Sequence, residues 1–406
     1  MQKTIVLLGT LDTKGIEFRY VKEKIVEQGC HVIVVDAGIL GKPLLEPDIT
    51  REQVAQAAGL SIEEVASTGD ENKAIELMSQ GATAIVEELY HSGKLDGILS
   101  LGGTMGTALA TAAMKALPVG VPKVMVSTVA AWDTRSYLGA KDITMIPPVS
   151  DIVGLNPITK RMLSTAAGAV LGMVQADPGP LPSEKPLIGL TLHGDMMPCM
   201  RVIKEMLEAR GYEVIVFAAV GAGGQALEEL VEQGLIKGVL DLVTHEVAAN
   251  VYSGLCDAGP HRLEAAGRKG IPQVITPAKA EEGFCFNPTL GTPEYLRGRK
   301  VWVHSPVVAT VRLNKEEMFG LGKVMVEKLN RATGPTAVII PHKGFSGHDI
   351  EGDDWHDPEA NAAFIQALKT GLKPEIELVE LDAHIDDKIF AETAANLLDE
   401  LMHKPG

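Results

Sequence analysis

Short runs of Val, Ile and Leu recur along the chain, each followed by a polar turn and an amphipathic stretch. IVLLG at residues 5–9, EQGCHVIVVDAG at 27–38 and VEELYHSGKLDGILSL at 86–101 have counterparts in LIGLTLHG at 187–194, ARGYEVIVFAAVG at 209–221 and LEELVEQGLIKGVLDL at 227–242. The runs are apolar throughout rather than alternating, which predicts parallel strands covered by helices on both faces. Their repeated order predicts two related α/β units, with about forty more residues between the matched segments of the first half. Further strands are expected at 123–129, 143–146, 273–276, 301–304, 337–341 and 375–381, and helices from about Glu17 and at 108–117, 157–175 and 388–402. DPGPLPSEKP at 177–186 carries four prolines and a glycine and reads as a linker between domains at 1–180 and 184–406.

Composition narrows the class. A chain of 406 residues, 46% hydrophobic and 22% charged, suits two globular domains; with only 4% aromatic residues their cores must be aliphatic. The net charge of −16 disfavours nucleic acid, which is held largely by Lys and Arg. Cys30, Cys199, Cys256 and Cys285 show no C-x-x-C spacing, so neither a disulfide framework nor a structural zinc site is expected, and a reducing cytoplasm fits. No signal-peptide core and no run of roughly 18 apolar residues is legible, so no membrane association is expected either.

The most informative stretch is GILSLGGTMGT at 97–107. A strand ends in a glycine-rich turn that enters a helix, the arrangement that lets backbone N–H groups approach an anion. Gly102, Gly103, Thr104, Met105, Gly106 and Thr107 are the candidates there. The segment matches neither G-x-G-x-x-G nor the Walker pattern, so it indicates a phosphate or carboxylate without naming it, and a ligand-free tight turn remains the alternative. The first strand ends in GTLDTKG, where Asp12 and Thr13 are good helix caps and Lys14 stands beside a helix N-terminus, a poor place for a cation without an anion nearby. The plain alternative is a capping Asp12 and a solvated Lys14. In a parallel sheet both loops reach the carboxyl edge and can share a crevice. Asp36, closing the second strand, and Lys73, ahead of a helix through Met78, can reach the same edge.

GTLDTKG, LGGTMGT, VPKVMVSTVA and VGAGGQALEELVEQGLIKGVLDL, in this order, resemble the family that contains the amino-terminal inhibitory half of the tomato mosaic virus resistance protein. The likeness spans essentially the whole chain. It implies two Rossmann-like domains with mainly parallel sheets flanked by helices, a homodimer, and ATP, with or without magnesium, in the first domain. It implies ATP contacts from Asp12, Thr13, Lys14, Gly38, Ile39, Gly103, Thr104, Met105 and Gly106. An arginine of the family is here Glu71, so either Lys73 substitutes or ATP binds more weakly. The tomato protein continues into a barrel domain that this chain lacks, which raises a separately encoded barrel-fold partner.

The second half offers His193 and Asp195 after its first strand, a second glycine turn AVGAGGQA at 219–226, and Thr244, His245 and Glu246 after VLDLV. PHKGFSGHDIEGDDWHD at 341–357 holds three histidines and five acids with Lys343 and Ser346; a metal is one reading of it, but its spacing matches no zinc pattern, and the polarity of a surface loop is the plainer one, so no metal ligand is assigned. GFSGH misses G-x-S-x-G by one position, and Arg312 is a carboxylate or phosphate clamp or a structural ion pair. His193, His245, Glu246 and Lys343 are the catalytic candidates, with His245 as acid–base and Glu246 as its orienter. The expected function is an ATP-binding cytoplasmic enzyme acting on a small carboxylate or phosphate metabolite in a cleft between its domains. The alternative is a non-catalytic, nucleotide-regulated dimeric binding module.

Overall fold

The computed structural model describes residues 2–176 and 184–404. The chain divides into two compact units, residues 1–180 and 181–406. Of the expected linker at 177–186, residues 177–183 lie outside the described residues.

The first unit contains strands β1 (Thr4–Gly9), β2 (His31–Asp36), β3 (Gly97–Gly102), β4 (Lys123–Ser127) and β5 (Thr144–Ile146) in the order β2-β1-β3-β4-β5, all parallel. Its helices are α1 (Leu11–Val26), α2 (Arg51–Ala57), α3 (Ile62–Ala66), α4 (Glu71–His91), α5 (Thr104–Ala116), α6 (Arg135–Leu138) and α7 (Pro157–Ala176). Phe18, Val21 and Ile25 of α1 and Leu163, Val170 and Val174 of α7 bury one face of the sheet. Met78, Ala82 and Val86 of α4 and Leu109 and Ala113 of α5 bury the other, which is why the strands are apolar throughout. A Cβ at Gly9 would lie 2.2 Å from the Phe18 ring, so β1 must end in glycine for α1 to close over it.

Helix starts differ from expectation. α1 begins at Leu11, so Asp12 to Lys14 form its first turn rather than a loop before it. α5 begins at Thr104, immediately after Gly103, four residues before the expected 108. The additional residues of the first half supply α2, α3 and the start of α4; Ser61 with Glu64 closes a capping box on α3, and Asp70 caps α4.

The second unit contains β6 (Leu187–Leu192), β7 (Glu213–Ala218), β8 (Ile236–Val243), β9 (Gln273–Ala278), β10 (Phe284–Phe286), β11 (Val301–Ser305), β12 (Val308–Val311), β13 (Thr336–Pro341) and β14 (Glu377–Leu381). Its helices are α8 (Met197–Ala209), α9 (Ala222–Glu232), α10 (His245–Tyr252), α11 (Ala265–Lys269), α12 (Lys315–Leu329), α13 (Pro358–Gly371) and α14 (Lys388–His403). The main sheet has the order β14-β13-β9-β8-β6-β7 and is parallel. Counted within its own unit, the second strand again lies outside the first, and the third lies on the first strand's other side. The repeat seen in the sequence is thus a repeat of topology.

Residues 301–304 do not join the parallel set. β11 pairs antiparallel with β12, which pairs with β10, in a separate three-stranded sheet. The physical reason is the short connection between β11 and β12, since a parallel neighbour would need a crossover.

Candidate functional site

The strand order reverses between β1 and β3, and open parallel sheets bind ligands outside their carboxyl ends at such a switch. A cavity of about 960 Å³ lies there. Thr10, Asp12, Thr13 and Lys14 line one side, Gly102 to Gly106 another, Ile39 to Gly41 a third, and Ala66 to Ile75 contribute the remainder through Thr68, Gly69, Asp70 and Glu71. Its size falls within the range of small-molecule sites. The turn at β3 is open on the cavity side. A Cβ at Gly103 would meet only Thr128 Oγ1 at 3.8 Å, and one at Gly106 only a carbonyl at 3.9 Å. First-turn N–H groups of Thr104, Met105 and Gly106 precede the helix's own acceptors and are free to meet a ligand.

Charge in the lining is mixed. Of the described lining residues Lys14 alone is basic, against Asp12, Asp70 and Glu71. Lys14 Nζ donates to the Ile152 carbonyl, which fixes its position in the first turn of α1. Asp12 Oδ2 accepts from Gly41 N at 3.1 Å, while its Oδ1 is buried with no partner. Asp70 Oδ1 accepts from the N–H groups of Asn72 and Lys73 as the cap of α4.

The structure brings Asp12, Thr13, Lys14, Ile39, Gly102, Gly103, Thr104, Met105 and Gly106 together around this cavity. Gly38, Lys73 and Thr107 lie outside its lining. Gly38 sits against Asp12, where a Cβ would come within 2.9 Å of Oδ1. Lys73 Nζ pairs with Glu76 at 2.8 Å on an exposed helix face. Thr107 is buried, its hydroxyl bonded to Gly103 O and Ser127 Oγ. Asp36 is also internal: it accepts from Leu11 N, Gly38 N and the Arg51 guanidinium. Of the wall at residues 66–71 sequence reading singled out only Glu71, through the resemblance; Ala66, Thr68, Gly69 and Asp70 follow no strand-to-helix anion pattern and enter only through the fold.

The second unit has the equivalent reversal between β6 and β8, and His193 and His245 follow those two strands. Their rings meet edge to face with centroids 5.4 Å apart. His193 Nδ1 lies 2.8 Å from Asp195 Oδ1, and the buried Lys279 Nζ, just after β9, donates to Asp195 Oδ2 at 2.7 Å and lies 2.7 Å from Glu282. Burial works against the charge on Asp195, but His193 and Lys279 outweigh it and hold its carboxyl well below the usual range. The small sheet adds His304, whose ring lies 5.7 Å from His193, and Trp302, whose ring lies 4.1 Å from His348.

His245 is 2% exposed, and neither ring nitrogen makes a conventional hydrogen bond. Its principal favourable partner is the Cys256 thiol, which, with Glu246 and Glu282, raises its pKa against the effect of burial. Cys256 in turn faces Cys285, His245 and His193. The bond from the Cys285 thiol, then the two imidazoles, bring Cys256 down to about 4 despite burial, while Cys285 is pushed up. Both cysteines are unbridged. Sequence reading missed this pair because residues 245, 256 and 285 share no local spacing.

Two catalytic candidates sit elsewhere. Glu246 is fully buried and accepts from Gly221 N at 2.6 Å, Gly224 N at 3.1 Å and Arg262 Nε at 2.7 Å. The second glycine turn is therefore filled by a carboxylate of the protein itself, and it is not an open anion cradle. Arg262 also holds Asp241, at 2.5 and 2.6 Å, so Glu246 belongs to a buried ion network and does not orient His245 through any hydrogen bond. Lys343 is exposed and bonded to the Asp382 carbonyl at 3.0 Å, with no contact to the histidines. Ser346 is buried with an unpartnered hydroxyl, and Arg312 lies 3.6 Å from Asp349 and donates to Asn361 at 2.8 Å, a structural pair.

The family described as "Uncharacterised protein family (UPF0261)" matches twice: its N-terminal domain over residues 3–178 and its C-terminal domain over residues 185–402. The chain belongs to this family. A UPF0261 protein of Clostridium tetani is 46% identical over 405 residues, covering 100% of each chain. One from Brucella suis biovar 1 is 37% identical, covering 97% of this chain and 94% of its own. The ToMV resistance protein Tm-1(GCR237) of Solanum lycopersicum is 32% identical over 98% of this chain and 56% of its own length. Among solved structures, UDP-N-acetylglucosamine 2-epimerase from Rickettsia bellii covers 68% of this chain and 78% of its own at 15% identity and a TM-score of 0.23. A UDP-GlcNAc 2-epimerase from Methanocaldococcus jannaschii, in complex with UDP-GlcNAc and UDP, covers 100% and 94% at 9% identity and a TM-score of 0.23. Likenesses this slight carry no functional argument. Among the described residues no helix is long and apolar enough to cross a membrane.

Proposed function

We propose that the first unit of this UPF0261 protein binds ATP in the cavity at the β1/β3 switch. The observation that carries the reading is the open Gly103–Gly106 turn facing the first turn of α1 across a cavity of about 960 Å³. The phosphates would lie over the turn, met by N–H groups and Lys14, as the family resemblance implies. Three carboxylates in the lining oppose a bare polyanion, so the nucleotide is expected with a divalent cation. Calorimetry with ATP, with and without magnesium, tests this. Gly103→Val, at a lining position where a Cβ meets nothing closer than Thr128 Oγ1 at 3.8 Å, should abolish binding by crowding the phosphates while leaving the melting temperature nearly unchanged. Unimpaired ATP binding by that variant would move the site elsewhere.

For the second unit we propose acid–base chemistry on a small carboxylate or phosphate metabolite, carried by His193 and His245 rather than by Glu246 and Lys343. The observation favouring it is a buried imidazole with two unpartnered nitrogens at the carboxyl edge of the sheet. Turnover of metabolites that shift the thermal melt separates this from a non-catalytic module, for which hits would bind without conversion.

A further inference from the structure

Neither function above uses the thiols at 256 and 285, although Cys256 faces the two imidazoles proposed for acid–base work. Leu255 N donates to the Cys285 carbonyl at 2.9 Å, clamping the segment after α10, which carries Cys256, against β10, which carries Cys285. Cys256 is half-buried, whereas Cys285 is 8% exposed, its thiol donating to the Glu282 carbonyl at 3.5 Å and lying close enough to Cys256 to interact with it. The other face of Cys256 meets His245, with His193 edge-on behind it. A half-buried thiol beside a cation-capable ring, with a second, more deeply buried thiol next to it, is the geometry of an attacking and a resolving thiol.

We propose that Cys256 and Cys285 form a redox-active thiol pair that exchanges with low-molecular-weight disulfides, Cys256 attacking and Cys285 resolving. The Cys256 thiolate attacks one sulfur of the external disulfide, whose S–S bond breaks and releases one thiolate. That thiolate takes up a proton and leaves a mixed disulfide on Cys256. Cys285 then loses its proton to solvent or to a released thiolate and attacks the Cys256 sulfur, expelling the second small thiol and closing the 256–285 bond. One external disulfide is reduced to two thiols as one protein dithiol is oxidised. The neighbouring imidazoles of His245 and His193 stabilise the attacking thiolate, and His245 acts as a positioning residue. Cys199, 2% exposed and pushed up to about 12 by burial, and the buried Cys30 provide internal controls.

The inference is independent of the nucleotide site and survives its failure. The test is oxidation of the full chain with glutathione disulfide under native conditions, followed by alkylation and peptide mapping. The expected product is a peptide pair linked through 256 and 285, with Cys30 and Cys199 still free. Cys285→Ser should instead accumulate glutathione on Cys256, and Cys256→Ser should leave Cys285 unmodified. His245→Asn should slow the first step roughly tenfold or more, through loss of thiolate stabilisation, without altering which cysteine reacts. Wild-type protein that keeps both thiols free, or that takes up glutathione equally at Cys30 and Cys199, overturns the proposal without need of any variant.

Discussion

Arg262 Nε donates to Glu246 Oε2 at 2.7 Å, and both side chains are fully shielded from solvent. The pair turns a residue expected to take part in catalysis into part of the scaffold. Removing one charge strands the other: Arg262→Leu leaves Glu246 and Asp241 buried and unpaired and should cost about 3–5 kcal/mol in urea unfolding. A loss below about 1 kcal/mol would show that the network can be dispensed with. Gly224→Ala should destabilise for a related reason, since its Cβ would lie 2.1 Å from Glu246 Oε2.

Lys14 is the lone basic side chain among the described residues of the cavity wall. Lys14→Ala should weaken ATP binding roughly 10–100-fold, about 1.5–3 kcal/mol for a charge-assisted contact, as read by calorimetry. Because Lys14 Nζ also holds the Ile152 carbonyl, the melting temperature is measured alongside. Equal affinity in a folded variant would remove Lys14 from the site.

Cys256 should alkylate almost independently of pH between 5 and 7. With Cys285, His245 and His193 facing it, its thiol titrates near 4 and stays ionised across that window. An ordinary thiol of pKa about 8.5 loses roughly 100-fold of its thiolate over the same two units. Iodoacetamide labelling with peptide mapping gives the profile; a hundredfold fall at Cys256 would mean that it is an ordinary thiol.

Glu281 is fully buried, neither carboxylate oxygen makes a conventional hydrogen bond, and burial, with Asp349 and Glu282 nearby, raises it to about 7 despite Arg312 and Ser346. The folded state therefore binds this proton more tightly than the unfolded chain does. Its contribution to stability is full below about 4.5 and is lost as pH rises towards 7. Urea midpoints at pH 5 and pH 8 should show a decline in the wild type that Glu281→Gln largely removes. A Glu281→Gln variant with the same decline would place the titration on another group.

The two α/β halves and the turn at Gly102–Gly106 were legible because apolar runs and glycine turns are local signals. The antiparallel sheet of β10, β11 and β12 was not, since a strand such as 301–304 does not state its partner. The same limit explains Glu246: beside His245 it looked like an orienting acid, but its chemistry is set by Arg262, sixteen positions away, and by N–H groups more than twenty positions away. Cys256 was invisible for the complementary reason, being defined by residues on three separate segments.

The turn at Gly221–Gly224 holds a built-in counter-anion. A phosphate arriving there would have to displace a carboxylate tethered to the fold, and with it the guanidinium that neutralises that carboxylate. Covalent attachment gives that side chain an effective concentration that no free ligand reaches in solution. Duplicated topology thus need not mean duplicated occupancy: nucleotide should saturate the protein at one equivalent per chain, however alike the two strand orders are.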